Sequence, residues 1–351
     1  MGHTAILCVR NEGAFLIEWL AHHRAVGFDH FVVFSNDCQD GTDTMLDHLA
    51  GLGWLTHLRN DGPYDKRGIQ FTALTRAAHL DVVRGSDWLM PLDIDEFVNI
   101  HTGDHTLSAL HAALPEATAI TLTWRLFGTS GEVHFRDAPV TETFTRCAPA
   151  VLHWPWRAAM FKTLYRNDGT YAKPGVHRPR APDPARLEHA RWFDGHGRPL
   201  PPIFRTRRVF CDFGRENYGL AQLNHYPLGA LESFVLKADR GRAVHAEDRL
   251  GLDYFVERNF NTDADTSVSA LAPAREAELA ALLADRKLVA LHGAAVDWRQ
   301  ARFDELMRQE PYRALFGRLL MCPPTRPLSR SAADILLRHA TRAHRSDSGT
   351  P

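Results

Sequence analysis

Between residues 4 and 92 the hydrophobic positions of this chain switch repeatedly between short extended runs and helical stripes. Thr4 to Val9 is an apolar, β-branched run. From Glu12 to Val26 the residues Phe15, Leu16, Trp19, Leu20 and His23 recur on one helical face, and Phe31 to Phe34 is again a short apolar run. The alternation continues: Gly41, Thr42 and Asp43 open a helix through Leu49 that ends at Gly51 and Gly53, with Asp40 or Thr42 as N-cap. Trp54 to Leu58 predicts a third strand, Gln70 to Val83 a helix, and Trp88 to Leu92 a fourth strand. Short apolar strands separated by helices predict an α/β fold with a parallel sheet covered on both faces. Ligands of such sheets bind at the carboxyl ends of the strands, where loops converge and helix N-termini present free N–H groups. Four polar loops fall there, at 10–12, 35–42, 60–67 and 93–96.

Beyond this region the pattern is less regular. The stretch 173–202 is rich in Pro, Gly and Arg and predicts a loop over the site or a variable connection. Past Ala270 the segment "PAREAELAALLADRKLVALHG" places alanine and leucine at helical spacing, between Pro273 and Gly293. The chain is thus expected to divide into a domain at 1–270 and a helical, packing C-terminal extension at 271–351, frayed from about 341.

Composition narrows the function classes. The formal charge is −1, from 41 basic and 42 acidic residues, which gives no electrostatic case for a nucleic-acid binder. The 20 histidines are scattered, so most are expected on the surface or as satisfied core residues. Five cysteines, an odd number with no CxxC pair, fit a reducing compartment. No apolar stretch reaches the ~20 residues of a membrane span, and the first residues lack a signal-peptide core. The expectation is a cytoplasmic protein.

The fourth strand ends in "LDIDEF", three acids directly after an apolar run. There is no GxGxxG after the first strand and no GxxxxGK[ST] anywhere, so a glycine cradle for phosphate is unsupported. A divalent cation on Asp93 and Asp95 would neutralise phosphate instead, since Mg²⁺ and Mn²⁺ favour oxygen ligands completed by phosphate and water. The competing reading is a solvated acidic loop.

Ordered motifs favour the first. The segments "ILCVRNEGAFLIEWLAHHRAVGFDHFVVFSNDCQDGT", "RGIQFTALTRAAH", "DWLMPLDIDEF", "ITLTWRLFGTSG", "FKTLYR", "KPGVHRPR", "NHYPLGALESFVLKADRG" and "ERNFNTDADTSV" resemble the GT-A glycosyltransferases. The resemblance is specifically to a family 2-like group related to family 92. It implies a Rossmann-like, mostly parallel sheet flanked by helices, and a UDP-sugar or other nucleotide-sugar donor. The acceptor it implies is a glycan or lipid-linked hydroxyl, with peripheral membrane contact open. It also implies that Asn11, Glu12, Asn36 and Asp37 hold the nucleoside, that Arg67, Gln70 and Lys237 lie near the diphosphate, and that Trp124 stacks on a sugar. Lys66, Arg240 and Arg242 could add phosphate contacts. Asp93, Asp95 and His225 would form the Mn²⁺ or Mg²⁺ site; His177 is a second imidazole for metal or pyrophosphate. Asp95 and Glu96 sit at the chemistry, Glu96 either orienting the pair or facing the acceptor. An inverting route needs a carboxylate base. Glu132, Asp194, Asp212 and Glu216 lie where spacing does not choose among them, and Asp194 is carried as the candidate. The "ED" and "QxxRW" elements of inverting family 2 enzymes are not at their usual places. A metal-dependent nucleotidyl- or phosphotransferase and a non-catalytic nucleotide-sugar-binding protein are the competing functions.

Overall fold

The computed structural model describes residues 1–62, 64, 68–240 and 250–347, with side chains to residue 342. Strands β1 (His3–Val9), β2 (His30–Ser35), β3 (Thr56–Arg59) and β4 (Trp88–Leu92) are linked by α1 (Gly13–Val26), α2 (Thr42–Gly51) and α3 (Ile69–Ala77). They pair in parallel in the order β3-β2-β1-β4. The hydrophobic alternation predicted these elements, with ends displaced by a residue or two. The helix expected over 70–83 is divided, because Leu80 is extended (ψ 138°) between α3 and a single helical turn at Asp81–Arg84. Asp40 ties two helix starts together: its Oδ1 accepts from Thr42 N, and its Oδ2 from Gly13 N (3.0 Å).

Five more strands widen the sheet: β5 (Glu96–Ile100), β6 (Ala119–Leu126), β7 (Phe161–Arg166), β8 (Trp192–Asp194) and β9 (Ala221–His225). The order becomes β3-β2-β1-β4-β7-β6-β9-β5, with β8 beside β6. β7 lies antiparallel between β4 and β6, and β9 pairs antiparallel with β5, while β6 pairs in parallel with β8 and β9. The sheet is mostly parallel, and its antiparallel half brings β5, β7 and β9 around the end of β4. β4 turns into β5 within Asp93–Glu96. Glu96 N donates to Asp93 O (3.1 Å), Asp93 N donates to Glu96 Oε2 (2.9 Å), and Trp19 Nε1 of α1 donates to both Asp93 O and Glu96 O.

The C-terminal region is helical, as expected. After α4 (Leu231–Arg240), helices α5 (Ala272–Leu283), α6 (Arg286–Met307) and α7 (Glu310–Met321) pack on α1, α2 and α4. Leu271, Leu282 and Leu288 join the main core, and Leu306 and Leu319 pack with Phe234 and Phe255. Gly13 makes the approach of α6 possible, since a Cβ there would lie 2.7 Å from Ala295 Cβ. A final helix, Arg330–Asp347, keeps the chain helical past 341. Among the described residues no helix is long and apolar enough to cross a membrane.

Two core histidines make stability depend on pH. His22 Nε2 donates to Val98 O (2.8 Å); His23 Nδ1 donates to Trp19 O (2.8 Å), and its Nε2 accepts from Val98 N. Both rings are therefore held neutral. Burial lowers the His22 pKa to about 4, and burial together with His22 holds His23 well below the ordinary value. The unfolded chain then binds more protons than the folded one from about pH 6.5 downward, so stability is full above that pH and falls toward pH 4. His22 alone accounts for a loss of about 3 kcal/mol across that window at 1.36 kcal/mol per pKa unit. Thermal melts should show Tm falling over this range, with His22→Gln flattening the slope; an unchanged slope in the variant contradicts the assignment.

Candidate active site

The acids of the β4–β5 turn do not share one face. A tight turn separates them, and each carboxylate meets a different element. Asp93 Oδ1 accepts from Gln70 Nε2 of α3 (2.7 Å), and its Oδ2 from Lys162 Nζ of β7 (2.8 Å). Asp95 Oδ2 accepts from Lys237 Nζ of α4 (2.6 Å), while its Oδ1 faces His225 Nε2 at the end of β9, 3.6 Å away. Glu96 is fully buried; its Oε1 accepts from Trp124 Nε1 (2.6 Å), and Lys162 Nζ lies 3.5 Å from its Oε2.

The electrostatics follow from burial. Burial alone would raise the Asp95 carboxyl, but Lys237 and His225 hold it well below the usual carboxylate range. Burial pushes Glu96 up to about 8, against the pull of Lys162. Lys162, only 1% exposed, stays charged because Asp93 and Glu96 outweigh its desolvation. Two carboxylates thus meet two ammonium groups, and the third acid is held neutral. This is the arrangement a low dielectric demands, because an unpaired buried charge costs several kcal/mol.

A cleft of about 350 Å³ opens over this turn, at the carboxyl ends of β1, β2 and β4. Asn36, Gln70, Asp93, Asp95, Trp124, His177 and His225 line it, and four cations converge there: Arg10, Lys237, Arg240 and Arg258. Arg10 Nε is buried without a hydrogen-bond partner among the described residues. Arg240 is ion-paired to Glu12 and donates to Arg10 O (2.7 Å); Arg258 stacks on Tyr254, 3.7 Å from the ring centroid. His225 stacks on Trp124 (centroids 4.3 Å apart). Burial lowers its pKa, and its Nδ1 has no partner among the described residues. Burial likewise brings His177 to about 4, with its Nδ1 on Phe161 O.

The expected residues therefore separate into groups. Asn36, Gln70, Asp93, Asp95, Trp124, His177, His225 and Lys237 meet in the cleft. Glu12 stands on its wall, whereas Asn11 faces a neighbouring cavity and spends its Oδ1 on Gln39 N (2.7 Å). Asp37 is exposed and accepts from Tyr64 and Asn36, outside the cleft lining. Glu96 lies behind the cleft as a positioning group. Asp194, carried as the base, is far from this role: it is buried at the end of β8, accepting from His196 N, Arg198 N and Arg198 Nε, and lines neither cavity. Asp93 departs from the expected metal triad, since both of its oxygens are already engaged. Among the described residues no cluster of three His, Cys, Asp or Glu side chains can hold a metal. Arg67 and Lys66, with Gly241 and Arg242, lie outside the described residues. Sequence reasoning assigned no role to Lys162, Arg10 or Arg258. The signal for Lys162 was a lysine inside the strand run "FKTLYR".

Residues 3–168 match the model of glycosyltransferase family 92. This N-terminal part of the chain is thus similar to that family. A family 92 protein of Ricinus communis is 26% identical over 150 residues, which are 41% of this chain and 26% of that protein. One from Oryza sativa subsp. japonica is 25% identical over 148 residues, 41% of this chain and 24% of that protein. The chain spans about a quarter of the length of these curated relatives. Among solved structures, S. aureus TarS 1–349 is similar at 14% identity and a TM-score of 0.34, covering 88% of this chain and 92% of that one. The family 92 match holds the parallel strands, the acidic turn and Lys162; His225, Lys237, Arg240 and Arg258 lie beyond it.

Lys162 is the pivot of the acidic turn. Replacing it by methionine leaves Asp93 without its cation, a change expected to cost about 3–5 kcal/mol. Urea unfolding at neutral pH measures it, and a loss below about 1 kcal/mol would show that the pair is screened by water.

Proposed function

We propose that this protein transfers a glycosyl group from a nucleoside diphosphate sugar, UDP-linked, to a hydroxyl of a glycan or lipid-linked acceptor. The supporting observation is the convergence of Arg10, Lys237, Arg240 and Arg258 on the Asp95–His225 pair in one cleft at the strand ends. Four cations against the three carboxylates Glu12, Asp93 and Asp95 suit a ligand of net negative charge, and the guanidinium groups match phosphate oxygens. Asn36 offers its amide to a base edge at the end of β2, and Trp124 offers ring surface to the sugar.

The donor set fits a divalent cation on two protein ligands, Asp95 Oδ1 and the neutral His225 Nε2, completed by phosphate oxygens and water. Mn²⁺, which accepts imidazole, suits it better than Mg²⁺. Such an ion would neutralise charge on the leaving diphosphate. The chain's own groups do the rest. Lys237 and Arg240 meet the diphosphate as the bond from its oxygen to the anomeric carbon breaks. The acceptor oxygen bonds that carbon, with inversion in a single displacement, and its proton passes to a carboxylate. Glu12 and Asp95 are the carboxylates on the wall between the cleft and the neighbouring cavity.

Release of UDP from UDP-sugars in the presence of Mn²⁺ tests this reading. Lys237→Ala should lower kcat/KM about 100-fold or more, the scale for removing one preorganised electrostatic contact. His225→Ala should weaken the Mn²⁺ dependence. Asp194→Asn should lose stability while keeping turnover per folded molecule. Activity insensitive to Lys237→Ala, or release of UMP in place of UDP, overturns the transfer reading; full activity in excess chelator overturns the cation.

A further inference from the structure

The wall formed by Glu12, Ile94, Asp95, Lys237 and Arg240 has a second cavity on its other face. It is lined by Phe15, Phe135, Val140, Phe144, Tyr226 and Trp298, with a volume of about 90 Å³. That is room for a group of several heavy atoms, since one water needs about 10–15 Å³ on this scale.

The cations around this cavity differ in one respect. Lys237 is paired with Asp95, Arg240 with Glu12, Arg302 with Asp239 and Arg136 with Glu132. Arg299 of α6 has no ion pair or hydrogen bond among the described residues. It is 8% exposed, its Nε is buried without a partner among the described residues, and its guanidinium lies against the edge-to-face pair Phe15 and Phe135, at 4.6 and 5.0 Å from the ring centroids. The phenyl faces orient the planar fork and recover part of its desolvation, but they satisfy none of its N–H donors. Burial lowers its pKa only to about 10, so it remains a cation at neutral pH.

A buried guanidinium with open donors is matched best by a planar or tetrahedral oxyanion. We infer that this second cavity is the acceptor subsite and that Arg299 binds a carboxylate or phosphoryl substituent of an anionic sugar acceptor, whose hydroxyl then faces Asp95 and Glu12 across the shared wall. The inference rests on the transfer reading for the neighbouring cleft, and it adds the chemical class of the acceptor. It also gives α6 a binding role beyond packing.

Ligand-observed NMR with the full chain, in saturating UDP and Mn²⁺, tests it. Methyl β-glucuronide and glucose 6-phosphate probe the carboxylate and phosphoryl forms, and methyl β-glucoside is the neutral reference. For the wild type, at least one anionic probe should bind tenfold or more tightly than the reference, and which one does so identifies the anion. Arg299→Met, which keeps the stem against the rings, should abolish that preference, Arg299→Lys should retain part of it, and UDP affinity should be unchanged in both. Equal binding of all three probes by the wild type overturns the inference without any variant. So does an undiminished preference in folded Arg299→Met, or a parallel loss of UDP affinity, which would place Arg299 in the donor site. If UDP fails to bind the wild type while the anionic preference and its dependence on Arg299 persist, the transfer reading fails and the anion site stands.

Discussion

The constraint on which the site depends is the charge of the β4–β5 turn. Three carboxylates within four residues are carried to the end of a buried strand, where each must be neutralised, paired or left in water. Glu96 is held neutral and bonded to Trp124. Asp93 is shared between α3 and β7, and Asp95 between α4 and β9. These partners come from positions far apart in the chain, so satisfying the turn also fixes where β7, β9 and α4 end relative to β4. Trp19 of α1 clamps the turn from below through its indole N–H. The cleft exists because these ends converge on one acidic corner.

The parallel half of the fold was legible because its physics is local. Each of the first strands is an apolar run of strand length, and each intervening helix shows its own stripe and punctuating glycines, so the period alone separates them. The antiparallel half was not. Its pairing of β7 between β4 and β6, and of β9 with β5, depends on contacts between residues far apart in the chain, on which period is silent. The same locality decided the site. Asp93 and Asp95 were singled out by their place after the fourth strand; a common face for them would require an extended backbone, and the Asp93–Glu96 hydrogen bonds make a turn instead. Asp194 was legible as an acid in an irregular region; that Arg198 and two backbone amides occupy it is a matter of tertiary geometry. Lys162 sits inside an apolar strand pattern, and only the three-dimensional pairing distinguishes its role from that of an ordinary edge lysine.

The C-terminal helices show the same limit from another side. A helical stripe reports that one face is buried, not what the rest of the surface borders. Ala295 packs on Gly13 at the start of α1, and this close approach swings the next turn of α6 over the cavity wall, bringing Trp298, Arg299 and Arg302 beside Phe15 and Asp239. A helix–helix packing contact therefore sets the shape of the cavity beside the cleft.

The ion pairs of the shared wall also explain why the proposed diphosphate and cation suit this cleft together better than either suits it alone. Lys237 is bound to Asp95 at 2.6 Å and to Pro227 O at 2.8 Å. An anion that draws the ammonium group toward itself removes the charge that holds Asp95 ionised, and a largely buried carboxylate left so is costly. A cation arriving alone meets the opposite problem, because it places positive charge next to Lys237, Arg240 and Arg258. Were the two to enter as one ligand, Asp95 and His225 would hold the cation in place of the ammonium partner of Asp95, and Lys237 would meet phosphate in place of the carboxylate. The number of opposite-charge contacts is then conserved, and the neutral ring of His225, already beside Asp95, needs no change of protonation.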